Sequence, residues 1–235
     1  MRLFLSVLFI TSLGLAELSA QGLFSKERVR NNRNYLEQKR WTYGFYLGFN
    51  RMDFKIDRFE EADAVLVNTN FGFNVGLLGN VKLHEFIDLR LEPGVIFSNR
   101  EIDFTQFGED DLSRFRETRS AYVYVPLVLK LSTRRLNNFK PFVTGGIAFG
   151  HNLSSNEDNP DDNSANQFRL NTTNYFYEVG FGIDFYLEYF KFTPTIKGVF
   201  AINNELIPDN NPNSPWTGNI DRMASRGIFI NFMFQ

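Results

Sequence analysis

Two histidines, His84 and His151, and a scatter of serines are the groups in this chain with types suited to nucleophilic chemistry. His151 is followed by Ser154 and Ser155, and a base beside a hydroxyl is the minimum needed for acyl transfer. Such a pair also needs a third group to orient the imidazole, and no residue is placed by spacing to do that. A histidine at the base of a loop, with turn-forming serines after it, accounts for the same residues. His84 lies in a short turn. The segment SSNEDNPDDNSANQ (154–167) carries four acids, which raises calcium binding, but it lacks the EF-hand order and terminal glutamate. A solvated acidic loop is the simpler reading. There is no glycine loop of the phosphate-binding kind. No cysteine is present, which excludes disulfides, thiolate metal sites and a cysteine-linked lipid anchor. The sequence therefore assigns no catalytic residue, no metal ligand and no cofactor.

The remaining candidates are charges in unusual company. Lys130 sits within YVYVPLVLKL (122–131), a run that otherwise reads as a buried strand. Its position depends on which face of the strand it occupies, so the strands must be placed first.

A period of two runs through most of the chain after residue 40. Trp41, Tyr43, Phe45, Leu47 and Phe49 alternate with Thr42, Gly44, Tyr46, Gly48 and Asn50. Phe71, Phe73, Val75, Leu77 and Val81 alternate with Gly72, Asn74, Gly76 and Asn80. The same alternation recurs over 87–98, 121–131, 143–150, 174–187, 190–202 and 227–234. This predicts about eight strands of roughly ten residues, the length that crosses a bilayer when tilted. One face is large and apolar; the other holds glycine, small polar groups and charge. A soluble barrel or sandwich would expose the charged face and pack the apolar one. Here the glycine-rich face is the one with little room, which predicts a narrow barrel with lipid outside.

The connections agree. Short segments at 83–86, 133–138 and 188–190 alternate with long polar ones at 58–68, 105–118, 153–172 and 204–224. That is the pattern of turns on one side of a membrane and loops on the other. Both termini then lie on the turn side, in the periplasm, with the long loops extracellular. An even strand number closes the sheet and leaves no edge. The expected fold is all-β: an eight-stranded antiparallel transmembrane β-barrel of the outer-membrane type over 41–235.

Lys130 then points into the lumen, where it avoids the roughly 2–4 kcal/mol cost of facing lipid near the midplane. Arg90, Glu92, Glu178, Asp184 and Lys197 share the inward parity of their strands. Three charges of each sign predict a neutralised plug with a structural role. An eight-stranded barrel is just wide enough for side chains to fill, so the lumen is expected to be closed.

The start of the chain has a separate logic. Met1-Arg2, an apolar run over 3–15 and a small-residue stretch ending at Ala20 read as a secretory signal peptide, residues 1–20. Residues 21–40 form a polar leader; GLFSKERVRNNRNYLEQKR (22–40) carries six basic and two acidic side chains. It reads as a solvated periplasmic segment, with docking to a partner or to lipid head groups as the alternative. Net charge is -2, which gives no reason to expect nucleic acid. Phenylalanine is abundant, with 27 copies, while mean hydropathy is -0.26, as suits strands that bury one face in lipid.

The segments YGFYLGFNRMDFKI (43–56), YVYVPLVLKL (122–131), KPFVTGGIAFG (140–150) and RGIFINFMF (226–234) resemble the PorT (SprT) family of outer-membrane barrels of Bacteroidota. The resemblance covers the barrel from about Trp41 onward, with GFYLGFNRMDF behind a basic leader its most specific part. It implies a non-enzymatic role in the type IX secretion system and, in gliding members, in the motility machinery. Partners implied are outer-membrane lipid and other secretion components, with no small-molecule substrate. The competing readings are a general small barrel serving envelope integrity or adhesion through its loops, and a lipid-modifying enzyme built on His151.

Overall fold

The computed structural model describes residues 39–59, 65–105, 107, 114–157, 169–211 and 214–235. The signal segment 1–20, nearly all of the leader 21–40 and residues 158–168 of the acidic loop lie outside the described residues.

Among the described residues ten strands form one antiparallel sheet: β1 (Trp41–Arg58), β2 (Val65–Thr69), β3 (Phe71–Lys82), β4 (Ile87–Leu91), β5 (Gly94–Phe104), β6 (Phe115–Ser132), β7 (Phe139–Asn152), β8 (Thr173–Tyr186), β9 (Lys191–Ala201) and β10 (Ile220–Phe234). β1 pairs with β10 from Phe45↔Phe234 and with β3 from Trp41↔Val81, so the sheet closes into a ring. β2 with β3, and β4 with β5, each act as one stave, giving the ring eight staves. The strand break at Asn70 is a single residue whose N–H donates to the Asn99 carbonyl (3.3 Å). The break at Glu92-Pro93 has a local cause: Pro93 has no N–H for the ladder, although its carbonyl still accepts from Leu77 N (2.8 Å).

Several strands outrun the roughly ten residues that the alternation predicts. β1 and β6 each span 18 residues. β2 and the first residues of β6 and β10 fall within segments expected to be loops. The reason is compositional. Beyond Asn50 the outward positions become Arg51, Asp53 and Lys55, so the apolar alternation fades while the inward Met52 and Phe54 stay buried. The wall continues past its apolar belt into water. The three turns at the other end are as short as their sequences imply.

The two faces are set by parity. Phe45, Leu47, Phe49, Leu127, Leu129, Ile147, Val179, Phe181 and Ile228 are exposed around the belt. Aromatic pairs line it, with Phe73 stacked on Phe97 (4.6 Å) and Tyr177 on Phe200 (5.1 Å). Inside, large aromatic side chains lie over glycines of neighbouring staves. A Cβ on Gly150 would come within 2.7 Å of the Phe176 ring, and one on Gly182 within 2.5 Å of the Phe142 ring. Glycine is required there for close approach. The loop-side end holds a second apolar cluster of Phe54, Ile102, Phe104, Leu170, Leu206, Ile220 and Met223. Leu170 and Leu206 come from loops and meet in a β-bridge, so loop chain folds inward and closes that mouth.

Candidate functional site

The lumen is where this chain concentrates chemistry. Parity on β4, β6, β8 and β9 turns Arg90, Lys130, Glu178, Asp184 and Lys197 inward, with Glu92 beside them in the β4–β5 break. All six are buried, and they fall into two groups. Toward the turn end, Lys130 Nζ donates to Asp184 Oδ2 (2.5 Å), while Thr193 Oγ1 donates to Asp184 Oδ1 (2.8 Å). The Lys130 ammonium also lies 4.1 Å from the centre of the Phe142 ring. At mid-height Lys197 Nζ donates to both Glu178 Oε1 (2.8 Å) and Glu92 Oε2. Arg90 Nη1 closes on Glu92 Oε1 at 3.4 Å. Two tyrosines complete this layer: Tyr124 Oη donates to Glu178 Oε2 (3.0 Å) and Tyr46 Oη to the Glu92 carbonyl (3.2 Å). Each group balances its charge.

A third layer lies nearer the loops and holds residues that the sequence reading missed. Arg100 donates to Ser225 Oγ (2.7 Å) and Ser120 Oγ (2.9 Å), and its guanidinium stacks over Phe54 at 3.6 Å. Glu205 accepts from Ser225 N (2.9 Å), Ser225 Oγ (2.8 Å) and Tyr122 Oη (3.2 Å). Ser225 thus links the Arg100 cation to the Glu205 carboxylate. Burial pushes the Glu205 carboxyl above the usual carboxylate range, with Arg100 working against that shift. Arg116 lies over the Trp216 ring at 4.5 Å, tying β6 to the β9–β10 loop. Arg100 and Arg116 were findable, because carrying the β5 and β6 alternation further toward the loops gives both inward parity. Glu205 is in a loop, where no period announces it.

The histidine candidates do not assemble. His151 lies on the outward parity of β7, between exposed Phe149 and Leu153. Ser155 is buried and its hydroxyl pairs with Thr172 Oγ1 (2.7 Å). Ser154 uses its backbone N–H to bond Asn152 Oδ1 (3.0 Å). Among the described residues no hydrogen bond joins His151 to either serine, and the Ser155 hydroxyl is engaged by Thr172. His84 sits exposed in the turn between β3 and β4, its ring 5.9 Å from Phe86.

What the lumen can do chemically is limited by its packing. Tyr46, Tyr124, Pro126, Val199 and Phe229 fill the space around the Glu92–Lys197–Glu178 group and leave a cavity of about 10 Å³ there. The loop-side cluster lies above this group and the Lys130–Asp184 pair below it.

Residues 20–206 match the family model described as "Outer membrane protein beta-barrel domain". Among solved structures the chain is similar to the outer membrane protein OprG from Pseudomonas aeruginosa, with 14% identity over 82% of this chain and 92% of that one (TM-score 0.42). It is also similar to Ail, the attachment invasion locus protein of Yersinia pestis, with 9% identity over 82% and 96% (TM-score 0.39). Neisserial surface protein A is a third, with 8% identity over 80% and 95% (TM-score 0.41). No curated protein matches.

Proposed function

The chain belongs to the outer-membrane β-barrel domain family, and from that premise we propose that it is a non-enzymatic, closed barrel acting as a membrane-anchored assembly or export partner in type IX secretion. The observation that carries the non-conducting part of this reading is the filled lumen. Buried, charge-balanced groups occupy it at two heights, and a third layer with an apolar cluster closes the loop end. Such a barrel passes neither solute nor polypeptide through its middle. Its work belongs to its surfaces: the lipid-facing wall, the turn end and the loops. The secretion role rests on the resemblance of strand sequences 43–56, 122–131, 140–150 and 226–234 to the PorT family. Termini in the periplasm and long loops outside follow from the alternation of turns and loops.

The test is export in a clean deletion strain. Type IX cargo retained in the periplasm, and released again when the gene is restored, is the expected result. Normal export would remove the secretion role and leave the barrel. A second reading, envelope integrity or adhesion, is favoured by one observation. The wall rises past the apolar belt and carries ion-paired charge there, with Arg226 bonded to Asp53 (2.8 Å) and Arg119 to Glu117 (2.9 Å). Normal export combined with altered detergent sensitivity or surface attachment would select it.

A further inference from the structure

The turn end of the barrel is basic. Lys39 and Arg40 enter the wall there, and Lys82, Arg134, Arg135, Lys140 and Lys191 lie on the same end, against Glu85, Asp88 and Glu188. Between the β3–β4 turn and the β6–β7 turn lies an open cleft of about 280 Å³. Lys82, Lys140, Arg134 and Arg135 line it, with Thr133 and Phe86, and Glu85 is its one acid. The side chains are partly placed by the fold. Arg135 is held over the Tyr186 ring at 4.1 Å and bonds the Asn137 carbonyl (2.7 Å). Lys140 Nζ reaches the Glu85 carbonyl (3.4 Å). Arg134 is exposed at the lip.

We propose that this cleft binds the phosphate head group of an anionic phospholipid in the leaflet on the turn side. Four cations against one acid favour an anion, and guanidinium groups suit phosphate oxygens. A lipid is favoured over a soluble anion by continuity with the belt. Exposed Thr133 follows directly on β6, whose Leu127, Leu129 and Leu131 are exposed on the outer face, so one lip of the cleft adjoins the face that meets acyl chains, while Lys82 and Lys140 keep the inward parity of β3 and β7. Exposed Leu83 and Leu136 flank it on the two turns, placing apolar side chains beside the cations at head-group depth. This rests on the turn end facing the periplasm, where phospholipid forms the leaflet; the secretion role is not needed for it.

Native mass spectrometry of the folded full chain in detergent, with phosphatidylglycerol or phosphatidylethanolamine added, tests it directly. Phosphatidylglycerol should be retained in preference. The Arg134→Gln, Lys140→Gln double variant should weaken retention about twenty-five-fold, from roughly a fivefold loss per cation. Arg222→Gln at the loop end should leave it unchanged, and heat-dependent gel mobility checks that each variant is folded. Equal retention of both lipids by the unaltered chain would overturn the proposal, as would undiminished phosphatidylglycerol binding by the folded double variant. Capture of polyglutamate with no lipid preference would also overturn it, and would point to an acidic protein segment instead. None of these readouts depends on cargo export, so failure here is distinguishable from failure of the secretion reading.

Discussion

At the scale of single residues, the Lys130–Asp184 pair shows what buried charge does in this barrel. Both groups are nearly inaccessible, and each is the other's closest opposite charge. Removing one leaves a desolvated charge with too few partners, which costs about 3–5 kcal/mol. Replacing both with apolar residues removes the penalty along with the pair. Lys130→Met should therefore lower urea stability of the folded barrel by that amount, while Lys130→Met with Asp184→Leu should recover most of it. A single variant as stable as the parent would show that the pair contributes nothing. Glu205 gives a second residue-level test through pH. Its folded-state carboxyl is raised by burial above the unfolded value. The folded state then binds the proton more tightly, so its contribution is full below the unfolded value and is lost as pH rises through the folded one. The loop-side layer should be more protected from proteolysis at pH 4 than at pH 8, and Glu205→Gln should flatten that difference.

At the scale of elements, the interior works by matching large side chains on one stave with glycine on the next. Gly150 on β7 lies beneath Phe176 on β8, and the nearest atoms a methyl group there would meet belong to side chains, chiefly that ring. Gly150→Ala should cost about 1–3 kcal/mol through overpacking. Adding Phe176→Leu should return part of it, because the two changes share one contact. Purely additive losses in urea unfolding would mean that the glycine serves some other purpose. The alternation of types along each strand made these elements legible in sequence, and it also fixed which residues face inward. Strand length was less legible. Above the belt the outward residues turn polar, so β1, β6 and β10 lose the pattern that would mark them as strands although their ladders continue. The stretch Val65–Thr69 was hidden for a further reason: it pairs with β5 across the stave, a partner that local sequence does not reveal.

At the scale of the whole molecule, closure is the property with consequences. The purified barrel in planar bilayers should show no large, stable conductance. Shortening the β9–β10 loop, which removes the Trp216 contact with Arg116, should still not open it, because the Glu92–Lys197–Glu178 group and the Lys130–Asp184 pair block the lumen at membrane depth. Steady channels in the unaltered protein would refute the filled lumen. Channels only in the shortened form would place the barrier in the loop.

The sequence by itself determined the period, the faces, the number of staves and six of the buried charges, Arg90, Glu92, Lys130, Glu178, Asp184 and Lys197. Those follow from local rules: successive side chains alternate, and each face must suit its solvent. It could not say which charges meet. Lys197 joins Glu92, 105 positions away, and Arg100 reaches Ser225 across 125. Such pairings depend on the stagger with which the ring closes, and stagger is set by the ladder between β1 and β10 at opposite ends of the chain. Only the tertiary structure decided that, and with it the three layers of the lumen, the inward fold of the loops at Leu170 and Leu206 and the basic cleft between two turns distant in sequence.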